Sequence, residues 1–184
     1  MDREEAVNLV KEHVKGAFLF KHMIATEAIM MALAKNLSED VDVWGLCGLL
    51  HDVDFEKTKD DCVRHGVVAQ EILSDEGVSE EILRAILSHN YMNPDAPMRV
   101  SKMDHALVAA DAMTGLIIAC AMVKGKKLDN VSDNTVRKAF KKKGFAAGSK
   151  REMIMECEEA GIGYDKFVEI SVAAMKDIAE ELGL

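Results

Sequence analysis

The chain has 184 residues, 49% hydrophobic and 30% charged, with 32 Asp and Glu against 23 Lys and Arg and a formal net charge of −9 at pH 7. That balance excludes a disordered chain and predicts one domain over residues 1–184, with room for a substantial core. The acidic excess argues against a long nucleic-acid partner, because phosphate backbones are held mainly by Lys and Arg, but leaves room for a small anion in a local pocket.

In chain order, the N-terminal "MDREEAV" is acidic and does not read as a signal peptide. Asp2 with Glu5 forms a capping-box pattern, as do Ser101 with Asp104 and Ser149 with Glu152. Gly77, Gly125, Gly144 and Gly161 fall where helices should stop. The only two prolines, Pro94 and Pro97, share the segment "NYMNPDAPMR", so helix is permitted everywhere else. Apolar residues recur at three- and four-residue spacing, predicting helices over about 2–14, 16–37, 41–52, 61–76, 79–90, 101–123, 132–143, 149–160 and 164–182. No segment alternates as a strand would, and there is no internal repeat. The expected fold is an all-α, single-domain helical bundle, and 5% aromatic residues with twelve Met predict adaptable aliphatic packing.

"ALVAADAMTGLIIACAMV", residues 106–123, approaches the length of a membrane span, but Asp111 near its centre is costly in lipid. A helix buried in a soluble core, with no membrane partner, is expected instead, and Asp111 then needs a partner. Cys47, Cys62, Cys120 and Cys157 form no C-x-x-C pair, so reduced thiols in a cytoplasmic protein are expected.

Polar groups of one chemical kind recur on apolar helix faces. His22 shares a stripe with Phe18, Ala25, Thr26 and Ile29. His51 and Asp52 end the apolar run "VDVWGLCGLL", where adjacent side chains, splayed by about 100°, can both turn toward one ion beyond the helix end. His65 is in register with Ala69 and Ile72, and His89 aligns with Ala85 and Ile86. Any one of these could be a satisfied core residue. Together, imidazoles and carboxylates on successive core faces form a costly polar interior unless they converge on cations.

The order His22, His51-Asp52, Asp111 resembles the H…HD…D pattern of the HD superfamily of metal-dependent phosphohydrolases. "GLLHDVDFEKT" is similar to that family's "LLHDIG" segment, and "RHGVVAQEIL" and "ILSHN" are similar to the two additional histidine segments of its dinuclear members. "HDVDFEK", "SHN" and "AADAMTGLI" also resemble "HDxDYEK", "AHN" and "AADxLTGLI", which recur in a branch of predicted hydrolases of the HDIG type. The chain departs in carrying Asp54 where Gly is usual and Phe55 where a Lys often follows. It also lacks the His pair and Gly-Tyr-Pro stretch of the cyclic-dinucleotide phosphodiesterases.

The resemblance implies His22, His51, Asp52 and Asp111 as ligands of one divalent ion. His65 and His89 would add a second, with Asp52 bridging, or else would steady phosphate and protonate a leaving group around a single ion. Candidate ions are Mn, Fe, Co, Ni, Mg or Zn; nitrogen and oxygen donors without thiolate fit the first five better than a structural zinc. The implied activity is hydrolysis of a small phosphorylated substrate, a phosphomonoester or phosphodiester and conceivably a nucleotide, with a di-iron oxygenase or a non-catalytic HD-fold sensor as the rivals. Asp54 is a candidate to orient water, and Lys57, Arg99 and Lys102 are candidates to meet an anion. The basic stretch 137–151 reads as a solvated face, with "GFAAG" a candidate pocket wall.

Overall fold

Local capping signals in the sequence set four helix starts, those of the helices over Arg3–His13, Val41–Leu50, Lys102–Val123 and Asp133–Phe140. In the computed structural model, which describes residues 1–184, α1 (Arg3–His13) opens on the Asp2–Glu5 capping box. The start of α2 (Ala17–Leu37) has no side-chain cap of its own. A distant residue supplies one: Glu56 Oε1 accepts from the Gly16 N–H at 2.7 Å and Oε2 from the Lys15 N–H at 3.1 Å. This pins the short α4 (Phe55–Thr58) to the α1–α2 junction. The Asp40 carboxylate accepts from the Asp42 and Val43 N–H groups at 3.0 Å and starts α3 (Val41–Leu50). After α5 (Val67–Leu73) and α6 (Glu80–His89), the Ser101–Asp104 box opens α7 (Lys102–Val123). Four helices follow: α8 (Asp133–Phe140), α9 (Arg151–Ile154), α10 (Tyr164–Asp177) and α11 (Ala179–Leu182). There is no strand, and the all-α expectation holds.

Four local expectations are corrected. The span 61–76 is not one helix: a 3-10 turn at Cys62–Arg64 is separated from α5 by Gly66 at φ +84°, a left-handed backbone that favours glycine. His65 therefore sits at a bend, not on a helical stripe. The Ser149–Glu152 box does not form, because Lys150 is the N-cap of a short α9 followed by a 3-10 turn at Met155–Cys157. The last helix is interrupted at Ile178. Gly144 is no helix stop, since α8 already ends at Phe140 with Lys141 as its cap.

A contiguous cluster of 46 buried apolar side chains runs through the helices, with α7 at its centre against α2, α3, α6, α8, α9 and α10. Met23, Met30, Met113 and Met175 are fully buried within it. Both α2 and α7 are long and apolar enough to cross a membrane by composition, but half of the α2 window and 72% of the α7 window are buried in the fold. Helices α2 and α3 pack very closely. A Cβ on Gly48 would lie 2.9 Å from the Glu27 backbone nitrogen and Cα, so only glycine permits this approach. Thr26 and Thr114 hydroxyls, 3.3 Å apart in the core, tie α2 to α7. These two contacts bring the His22 face of α2 beside the end of α3 and beside Asp111 on α7.

Candidate metal centre

His22 Nε2 lies 3.0 Å from Asp111 Oδ1 and 3.8 Å from Asp52 Oδ2. His51 Nε2 lies 3.5 Å from Asp52 Oδ2 and 3.9 Å from Asp111 Oδ1. The other carboxylate oxygen of Asp52 faces a different pair: Oδ1 is 3.3 Å from His65 Nε2 and 3.8 Å from His89 Nε2. The structure thus brings His22, His51, Asp52, His65, His89 and Asp111 into one cluster. Two groups within it, His22–His51–Asp52 and Asp52–His65–His89, have donor atoms close enough to hold an ion each.

Three of the four imidazoles are held from behind. His51 Nδ1 donates to the Gly48 carbonyl at 2.8 Å, and His89 Nδ1 donates to the Ile86 carbonyl. A carbonyl can only accept, so Nδ1 is the protonated nitrogen in each ring and Nε2 is the one left to face the cluster. His65 Nδ1 is 2.8 Å from Asp54 Oδ1. Such outer partners orient metal-ligating histidines and raise their basicity.

Asp54, a candidate to orient water, does not line the cavity and stands behind His65. It is fully buried, and its second oxygen accepts from the Gly66 and Ala69 N–H groups at 2.8 and 3.0 Å. The bend at Gly66 and the Asp54 carboxylate together carry His65 inward from outside a helix.

The electrostatics are those of a cation site. Burial pushes the His51 imidazolium down. Burial also opposes charge on Asp52 and Asp111, yet the facing histidines hold both carboxyls below the usual range, Asp52 far below it. For His22 and His65 burial works against the imidazolium and is outweighed. Asp111 raises His22, and hydrogen bonds to Asp52 and Asp54 raise His65 to about 10. Asp111 is not in a dry core: its side chain is 38% exposed, because it opens onto a cavity.

The donor set fits divalent ions. Buried His51 Nε2 has no hydrogen-bond partner, and an orphaned lone pair in the interior costs about 1–3 kcal/mol unless a cation or proton meets it. All six donors are imidazole nitrogen or carboxylate oxygen, and none of the four cysteines belongs to the cluster.

The cluster forms the floor of a cavity of about 910 Å³ lined by 27 residues, 15 of them hydrophobic. Phe55, standing where the resemblance led one to look for a lysine, places its ring edge-on to His65 at 5.6 Å. Of the expected anion contacts, none lines the cavity. Lys57 is exposed on α4. Arg99 donates to the Ser88 carbonyl and pairs with Glu156 at 3.3 Å, and Lys102 pairs with Glu39 at 2.8 Å. Lys59 and Lys150 are the lysines that do line it. Lys59 carried no distinguishing pattern. Lys150 belongs to the segment that follows "GFAAG", and Phe145, Ala146, Gly148 and Ser149 do wall the cavity. Arg151 shapes that wall: its guanidinium donates to the carbonyls of Ala139, Phe140, Lys142, Phe145, Ala146 and Ser149. The stretch 137–151 is therefore only partly a solvated face.

Comparison with known proteins agrees with this geometry. Residues 19–122 match the HD domain family, and that span contains all six clustered residues. A tRNA (cytidine(56)-2'-O)-methyltransferase of Thermoplasma volcanium is 24% identical over 88 residues, 48% of this chain. The chain spans about a quarter of that relative's length (25%). No solved structure matches. With the family match covering more than half of its length and the paired histidine–aspartate cluster lying within the match, the chain belongs to the HD domain family, whose members are generally metal-dependent hydrolases.

Proposed function

We propose that the protein is a metal-dependent phosphohydrolase with a two-ion centre. The observation that carries this is the orientation of Asp52, whose two oxygens face two separate histidine pairs, as a bridging carboxylate requires. His22, His51, Asp52 and Asp111 would hold one ion, and His65, His89 and Asp52 the other. Divalent ions bound there supply an acidified water as nucleophile and offset charge on phosphoryl oxygens.

The chain's own part is positioning and proton handling. Asp52 fixes the spacing of the two halves. Asp54 keeps His65 Nδ1 engaged, so that Nε2 stays directed at the cluster. If one ion alone binds, at His22, His51, Asp52 and Asp111, then His65 and His89 are the groups placed to steady the phosphoryl group and to give a proton to the leaving oxygen.

The test is a phosphoester panel run on metal-free protein reconstituted in turn with each first-row divalent ion and with magnesium, with oxygen uptake followed in parallel. Ion-dependent phosphate release without oxygen uptake is expected. Oxygen consumption with no phosphate release would make the centre an oxygenase, and protein that binds no divalent ion and turns over no phosphoester would make it a binding module.

A further inference from the structure

The cavity above the histidine cluster runs along one helix. Asp111, Gly115, Ile118, Ala119 and Met122 follow one another on successive turns of α7 and all line it, a length of about 16 Å at the helical rise. Beyond Asp111 that stripe bears no charge. Phe145 and Met153 form the facing wall, and Phe18 lies one turn of α2 before His22. At Gly115 the facing segment comes close to α7: a Cβ there would lie 2.6 Å from Ser149 Oγ.

Few polar side chains join the cluster around this trough, and two of them are already engaged. The Asn90 amide donates to the Cys62 and His65 carbonyls at 2.7 and 2.9 Å, and its oxygen accepts from the Met92 N–H. Thr58 Oγ1 donates to the Asp54 carbonyl at 3.0 Å. The lining cations outside the cluster are Lys59 and Lys150, with no arginine, and Lys150 Nζ sits over the Tyr91 ring at 3.6 Å. Beside these, only the Tyr91 and Ser149 hydroxyls offer donors, so a base and ribose would meet few partners, and a polyphosphate would meet two ammoniums but no bidentate guanidinium.

The mouth is apolar as well. Phe18, Phe55, Tyr91, Met92, Met122 and Val123 all line the cavity and are 46–72% exposed. They make up most of the large apolar side chains that the fold leaves in water, and they gather where a ligand would emerge.

From these three observations we infer that the substrate is an amphiphilic phosphomonoester: one phosphoryl head at the histidine cluster and an apolar body lying along α7 from Asp111 to Met122. This deepens the phosphohydrolase proposal and rests on it for the identity of the head group. A volume of about 910 Å³ is at the upper end of small-molecule sites, so there is room for a body well beyond the head group.

The experiment is calorimetric titration of the manganese-loaded full chain with straight-chain alkylphosphonates from ethyl to decyl, which cannot be hydrolysed at an ester bond, and with AMP. Affinity is expected to rise about three- to fourfold with each methylene until the trough is filled, and decylphosphonate is expected to bind more tightly than AMP. Ala119→Phe should move the end of that rise to shorter chains, and Met122→Ser should weaken only the longest ones. Affinity independent of chain length, or AMP binding more tightly than decylphosphonate, would overturn the amphiphile. Phosphate release from the matching alkyl phosphates separates the two proposals. Faster release from AMP than from decyl phosphate would keep hydrolysis and remove the amphiphile. Chain-length-dependent binding without any release would keep the amphiphile as ligand and remove hydrolysis.

Discussion

His65 Nε2 stands 3.0 Å from His89 Nε2, with the Nδ1 of each ring already engaged, by Asp54 and by the Ile86 carbonyl respectively. At that distance the two nitrogens hold a proton or a cation between them, and His65, raised to about 10, brings the proton where no ion is bound. The pairing is imposed by elements far apart in sequence, the bend before α5 and the end of α6. It makes this half of the cluster a cation acceptor by construction.

Asp52 is the residue both halves share. Asp52→Ala should abolish tight divalent-ion binding and turnover while the helical far-ultraviolet spectrum survives, because the carboxylate contributes to the cluster rather than to the apolar core. Elemental analysis of the purified variant after dialysis, with circular dichroism, checks this. Full ion content and activity would refute the bridging role.

Asp54 acts through His65. Asp54→Asn keeps the shape but loses the charge, and its amide NH₂ then faces either His65 Nδ1 or both the Gly66 and Ala69 N–H groups. Metal affinity should fall about 10- to 100-fold, as for other outer partners of ligating histidines. Competition against a chelator of known affinity measures it, and unchanged affinity would remove the positioning role.

Gly48 sets the spacing between His22 and His51. Gly48→Ala forces its methyl group against the Glu27 backbone, which has no flexible end to move aside, so destabilisation of about 1–3 kcal/mol is expected together with weaker metal binding. Urea unfolding with and without the ion reports both effects. A variant as stable as the parent would mean that the two helices separate freely.

Asp104 carries an acid-sensitive contribution away from the centre. Burial opposes its ionisation, but the Val100 and Ser101 N–H groups, the Ser101 hydroxyl and Arg84 hold its carboxyl below the ordinary value. A depressed folded-state pKa stabilises the fold above the unfolded carboxyl's pKa, and that stability is lost as pH falls through the folded value. Asp104→Asn should therefore cost about 1–3 kcal/mol near neutral pH, with the difference from the parent shrinking in acid. Thermal unfolding across pH tests this, and a difference constant with pH would contradict it.

Arg151 is the organiser of the cavity wall. A lysine has no planar fork to reach six carbonyls, so Arg151→Lys should loosen residues 139–149 and raise their protease sensitivity while the rest of the fold persists. Limited proteolysis with mass analysis of the fragments is the measurement. Unchanged protection of that segment would show that the loop is held by its own packing.

Much of the helical order was legible because it is local. Asp2 and Ser101 announce helix starts through their own neighbours, and the apolar spacing of α2, α6 and α7 predicts what they bury. His22, His51, Asp52 and Asp111 stood out because polar groups of one kind on apolar faces need a common partner. Misreadings fell where non-local contacts prevail. The bend at Gly66 rests on the close approach of the Ile86 carbonyl from α6, and α9 is shortened around the Arg151 carbonyl shell.

By itself the sequence determined the helical class and the chemical kind of the centre, since capping, periodicity and donor type are carried by residues within a turn or two of one another. Only the tertiary structure decided that Asp52 faces two histidine pairs, that Asp54 is a buried support for His65, and that Lys57, Arg99 and Lys102 turn away to other partners while Lys59 and Lys150 line the cavity. Those outcomes depend on which helices touch and at what spacing, which the glycine at position 48 and the packing around α7 settle together across the whole fold.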